Sequence, residues 1–205
     1  MPLSAWPTAA AANSTLALAP ASPELTFLYT INITGGAAIP VGAGPRGSRV
    51  VLPIMGGTFA GPHMRGRLLP VGADWALVDA RDGVLTADVR QTLETDDGEH
   101  VLVFETGATH VGAFARAVGG GAGGGGGQFN ASAPTTACLR IAFETGSQRY
   151  YWLNSVVAVG VLRRLSPTQL TIDAWQITPP QDTTVLPGGV SSTERVVHRP
   201  WGGDM

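Results

Sequence analysis

The chain has 205 residues, 44% hydrophobic and only 14% charged, with a formal net charge of −2. That length and apolar fraction fit one domain with a substantial core, and the near-neutral balance gives no electrostatic case for nucleic acid or an anionic membrane. All 13 basic residues are arginine, so lysine Schiff-base chemistry is excluded. A lone cysteine, Cys138, rules out an intramolecular disulfide and a thiolate metal cluster. Within "TACLRIAF" it reads as a small buried hydrophobe.

Residues 1–23 are rich in Ala, Pro and Ser without periodicity and read as a flexible arm. They lack a positive n-region and a continuous apolar h-region, and no run of the chain reaches the ~18 apolar residues of a membrane span. The expected location is therefore cytoplasmic, not secreted, and the sequons at Asn13, Asn32 and Asn130 matter only in a secreted chain.

From Glu24 to Thr178 the pattern changes to short β-rich runs between turn residues. They are "LTFLYTINI", "RVVLPIM", "RGRLLPV", "WALVDA", "VLTADVRQTLET", "HVLVFETG", "HVGAFARAV", "TACLRIAFET", "VVAVGVLRR" and "LTIDAWQIT". Asp97-Gly98 supplies a positive-φ hairpin turn. The run 117–134, dominated by glycine, reads as a mobile loop; a phosphate cradle would need a lysine and a following helix, and neither is present. "TGSQRYYWLNS" predicts one short helix with Ser147 as N-cap. Residues 179–205 read as an irregular tail with at most a short strand near Arg195 to His198. The pattern as a whole predicts an all-β fold, a single antiparallel β-barrel over 24–178.

Three spaced blocks carry a family resemblance: "PRGSRVVLPIMGGTFAGPHMRGRLLPVGADW", "ADVRQTLETDDGEHVLVFETG" and "FETGSQRYYWLNSVVAVGV". Over Leu25 to Ile177 the chain resembles domain-of-unknown-function (DUF) family 3237, uncharacterised lipocalin-like (calycin-like) barrels. Val71 stands where the family's first block usually has glycine, Gln91 where an aromatic commonly follows the arginine, and the glycine insertion is atypical. The resemblance implies a lipocalin-like barrel. Fungal members sit among natural-product pathway enzymes, which implies small-molecule chemistry on polyketide-like substrates.

Polar residues sharing one strand parity are the place to look for a site in a small barrel. In "LTADVRQTL", Asp88, Arg90 and Thr92 share one face and Ala87, Val89, Gln91 and Leu93 the other; the first set is either a solvent-facing ion pair or a polar floor for a ligand. Glu105 continues the parity of Val101 and Val103. His110 matches a histidine near that place in the resembling proteins, and histidine shuttles protons near neutrality. Asp74 and Trp75 must face opposite sides of a strand. Asp74 is then either a turn cap bonded to its own backbone or a carboxyl at the cavity mouth whose raised pKa suits proton transfer. Gly56, Gly57 and Gly61 are read as letting backbone approach a bulky ligand, with Phe59 on the same wall. Tyr151, Trp152 and Asn154 form either an aromatic shelf for a flat ligand or a plug for the barrel end.

No metal-ligand spacing, nucleophile elbow or nucleotide fingerprint occurs, so no metal and no cofactor is expected. The expected partner is a small aromatic or hydrophobic substrate, with homo-oligomerisation left open. The expected function is a cofactor-independent cyclase or isomerase of secondary metabolism, adding a hydroxyl across an alkene or enone to close an oxygen heterocycle. Catalytic roles fall to Asp74 with Glu105 or His110 for proton transfer and Arg90, held by Asp88, for developing negative charge. Trp75, Tyr151 and Trp152 would hold the ring system. The alternative is a non-catalytic carrier of small hydrophobic ligands.

Overall fold

The computed structural model describes residues 21–79, 83–110 and 136–180. Outside them lie most of the expected arm, the glycine-rich loop, the tail beyond residue 180 with its short strand, and the strand expected in "HVGAFARAV" beyond His110.

The described residues form ten antiparallel strands, in order β1 (Glu24–Gly35), β2 (Ile39–Gly44), β3 (Gly47–Ala60), β4 (Arg65–Asp74), β5 (Leu77–Asp79), β6 (Val84–Thr95), β7 (His100–His110), β8 (Thr136–Glu144), β9 (Ala158–Arg164) and β10 (Gln169–Thr178). Eight of them close in the spatial order β1-β10-β9-β8-β7-β6-β4-β3, with β3 returning to β1 through pairs such as Ile33 with Gly57 and Ile31 with Phe59. The result is the expected closed antiparallel barrel. β2 hangs on β3 alone, and β5 pairs with β3 and β6.

Strand parity decides what fills the interior, because successive side chains point to opposite sides of the wall. On β6 the buried row is Leu85, Ala87, Val89, Gln91, Leu93 and Thr95; on β7 it is Val101, Val103 and Glu105; on β8 it is Ala137, Leu139, Ile141 and Phe143. Removing a leucine such as Leu93, which is fully buried, from water contributes about 1.5–3 kcal/mol. Cys138 takes the opposite parity and is exposed, so the expectation of a buried thiol is corrected: its neighbours Ala137 and Leu139 claim the inside.

The β6–β7 hairpin turns at Gly98, whose φ of 84° is the left-handed conformation expected of it. At the same end of the barrel the expected helix is a single 3-10 turn, Tyr151–Ser155, with Leu153 fully buried. Tyr150, not Ser147, sits at its N-cap, and no side chain caps it. Asn154 explains why it is short. Its side chain accepts from the Thr145 N–H at 2.9 Å and donates to the Thr145 carbonyl at 2.9 Å and the Tyr151 carbonyl at 3.0 Å, so the turn is tied to the end of β8 and does not extend as an α-helix. The opposite end of the barrel holds the β4–β5 corner and the β9–β10 turn.

Candidate active site

The β4–β6–β7 register creates one unusual row. Val89 pairs with Asp74 on one side and with Glu105 on the other, which puts all three side chains on the same side of the wall. That side is the interior. The two carboxyl-bearing residues are thus two strand spacings apart, roughly 10 Å between backbones, and both face inward.

Glu105 is fully buried. Burial pushes its carboxyl up to about 8, with the Asp74 charge acting in the same direction and a hydrogen bond from Gln91 opposing. That bond runs from Gln91 Nε2 to Glu105 Oε1 at 2.9 Å. Burial likewise pushes Asp74 up to about 6. There the Asp88 N–H, donating to Asp74 Oδ1 at 2.9 Å, and the Arg49 guanidinium oppose the rise, while the Asp88 charge reinforces it. Asp74 is therefore a cross-strand acceptor that faces the interior, not a cap on its own turn.

Tyr29 enters the same space from β1. It is fully buried, packed edge-on against Phe59 at 6.0 Å and Phe143 at 6.2 Å between ring centroids. Burial and the Glu105 charge hold its phenol well above the usual range. Among the described residues, four buried side-chain polar atoms lack a hydrogen-bond partner, and three of them are Tyr29 Oη, Gln91 Oε1 and Glu105 Oε2. Orphaned polar atoms in a folded interior are costly, and three of these four lie on this inward set of residues. Along the inward row of β6, Leu93 and Gln91 are fully buried, while Val89 and Ala87, nearer the β4–β5 corner, are 9% and 8% exposed.

The other expected site residues divide by parity. Arg90 and Asp88 stand on the outer wall, half exposed and 3.5 Å apart, which corrects the expectation of a polar floor or a charge-stabilising arginine inside. A guanidinium there faces solvent. Trp75 is outside too, under Arg90 at 5.7 Å from guanidinium to ring, so it does not hold a substrate ring in the interior. Its carbonyl accepts from Arg49. His110 ends β7 exposed, on the outward parity, and is not brought to Asp74 or Glu105.

Phe59 does face inward, against Tyr29. Gly57 serves the barrel seam: a Cβ there would meet the Asn32 carbonyl oxygen at 2.0 Å, and one at Gly61 would meet that of Leu28 at 1.8 Å. These glycines admit β1 backbone, not ligand, which corrects their assignment to a ligand wall. Tyr151 is 61% exposed, Asn154 is committed to backbone, and Trp152 packs on the core and edge-on to His63 at 6.4 Å. Asn154, bonded through both ends of its amide to backbone, offers none of it to a flat ligand, which corrects that part of the aromatic shelf. No three His, Cys, Asp or Glu side chains among the described residues are grouped as metal ligands would be. No helix among them is long and apolar enough to cross a membrane.

Sequence reasoning missed Tyr29 and Gln91. The signal was available: Gln91 is the one amide in an otherwise apolar row, Ala87-x-Val89-x-Gln91-x-Leu93, and apolar rows line small barrels.

Comparison with known proteins agrees with this architecture. The chain is 28% identical over 169 residues, 82% of its own length and 93% of the relative's, to the hydroalkoxylation enzyme phnH of Penicillium herquei. It is 26% identical over 159 residues to a UPF0311 protein of Rhodopseudomonas palustris, covering 75% of this chain and 96% of that one. Similar solved structures include a β-barrel-like protein of Acinetobacter baumannii, at 30% identity and TM-score 0.62 over 78% of this chain and 99% of that one. An enzyme from Penicillium herquei matches at 26% identity and TM-score 0.56, over 79% and 99%. The family model for proteins of unknown function DUF3237 matches residues 23–177, all of the strands but the last residue of β10, and the chain belongs to that family.

Proposed function

We propose that the protein is a cofactor-independent cyclase that adds a hydroxyl group of a small aromatic, polyketide-like substrate across its own carbon–carbon double bond. The observation that carries this reading is the pair of inward carboxyls on the Val89 row, pushed to different values, about 6 for Asp74 and about 8 for Glu105. Two titratable groups with separated pKa values divide into a base and an acid. Near neutrality Asp74 is ionised and takes the hydroxyl proton; the oxygen attacks one alkene carbon as Glu105 delivers its proton to the other. The proton then passes from Asp74 to Glu105 and restores both groups. Similarity to a hydroalkoxylation enzyme supports the reaction class. A carrier would hold the same ligand without turning it over.

Purified protein incubated with an ortho-alkenyl phenol and no added cofactor tests the proposal. Many equivalents of cyclised product are expected, with losses of about a hundredfold to ten-thousandfold in Asp74→Asn or Glu105→Gln. Stoichiometric retention of unchanged ligand would identify a carrier instead.

A further inference from the structure

Gln91 and Tyr29 take no part in the proton transfers just described, yet each keeps a buried atom unpaired in the same interior: Gln91 Oε1, an acceptor, and Tyr29 Oη, a donor. As the amide stands, Gln91 Nε2 donates to Glu105 Oε1 at 2.9 Å and Oε1 is the free end. The Tyr29 ring is held by Phe59 and Phe143, which pack edge-on against it.

We propose that Tyr29 and Gln91 form an oxygen-recognising subsite that selects neutral hydroxy-ketones, Tyr29 donating to the ligand's carbonyl oxygen and Gln91 Oε1 accepting from its hydroxyl. The assignment rests on the interior being the ligand site, as above, and adds the class of ligand. It follows from complementarity: a buried donor and a buried acceptor need the reverse pattern on the guest. A carboxylate is selected against, since it offers two acceptors and would add a negative charge to an interior that already holds Asp74 and Glu105. Buried unpaired groups reject mismatched guests far better than apolar walls do.

Calorimetric titration of the full chain with three ring-matched probes tests this without any turnover: 3-hydroxyacetophenone, 3-methoxyacetophenone and 3-hydroxybenzoate. The hydroxy-ketone is expected to bind best, the methoxy compound about three- to tenfold more weakly and the carboxylate at least tenfold more weakly. Tyr29→Phe should weaken the hydroxy-ketone about three- to tenfold while its melting temperature holds or rises, because the lost hydroxyl has no partner. Gln91→Met should erase the preference for hydroxyl over methoxyl; should that variant not fold, Tyr29→Phe and the wild-type probe ranking decide alone. Equal binding of ketone and carboxylate, binding of none of the probes at millimolar concentration, or an unchanged affinity in Tyr29→Phe overturns the subsite. Loss of the cyclase reading would leave the probe ranking intact, and cyclisation with no such ranking would leave the reaction and remove the subsite.

Discussion

Gln91 donates from Nε2 to Glu105 Oε1 at 2.9 Å, between neighbouring strands and in full burial. The bond occupies one carboxyl oxygen and leaves the other for the interior. Together with Asp74 on the far side of Val89, it gives the interior two carboxyls, the acid and the base of the reaction proposed above. The proposed reaction then has a defined pH window. Asp74 must be ionised, above about 6, and Glu105 protonated, below about 8. A bell-shaped profile of kcat/KM with limbs near those values is expected. A rate that rises steadily to pH 10 would remove Glu105 as the acid.

Arg90 and Asp74 are close in register, since Ala73 pairs with Arg90, but they face opposite sides of the wall. Arg90→Gln is therefore expected to leave turnover within about twofold of wild type and stability within about 1 kcal/mol, as for an exposed ion pair. Asp74→Asn is expected to lose turnover with no fall in melting temperature, because an amide oxygen still accepts from the Asp88 N–H and the variant carries no buried charge above pH 6. Equal damage from both variants would place the chemistry on the outer wall.

These two residues also mark where the sequence was legible and where it was not. Alternation in "LTADVRQTL" separates the two faces of β6 correctly, and the same alternation carries Glu105 inward with Val101 and Val103. Alternation alone does not say which face is inside. Small barrels put the apolar row inside, so the row with Gln91 is internal and the Asp88–Arg90 row external. Asp74 was open between two roles because the distinction depends on a partner 14 residues away, the Asp88 N–H, which no local pattern encodes. β2, in "IPVGAG", escaped because its glycines and proline resemble a loop and, among the described residues, it pairs only with β3. The 3-10 turn read as a longer helix because the tie from Asn154 to Thr145 is tertiary.

Stability should fall with rising pH. Both carboxyls have folded-state values above their ordinary ones, 4.5 to about 8 for Glu105 and 3.8 to about 6 for Asp74. The folded protein therefore binds more protons than the unfolded chain between pH 4 and pH 8, and that stabilisation is complete below the unfolded values and lost as pH passes the folded ones. Melting temperature is expected to drop between pH 5.5 and pH 8.5. Glu105→Gln should flatten the drop and melt higher than wild type at pH 8.5, by about 4 °C or more, given roughly 2–4 °C per kcal/mol at this size. An identical pH slope in the variant would mean that Glu105 is solvated.

The barrel plug should separate stability from chemistry. Asn154 satisfies the Thr145 N–H, the Thr145 carbonyl and the Tyr151 carbonyl with one side chain, and Leu153 beside it is fully buried. Asn154→Ala orphans those groups and is expected to cost about 1–3 kcal/mol, read as a lower denaturation midpoint. Tyr151 is exposed, so Tyr151→Ala should change stability by no more than about 0.5 kcal/mol. Because the plug closes the end of the barrel away from Asp74, folded Asn154→Ala protein should bind ligand with unchanged affinity at a temperature well below its melting point. A tenfold loss of affinity in Tyr151→Ala at wild-type stability would instead return the aromatic shelf to the ligand and place it at the plugged end.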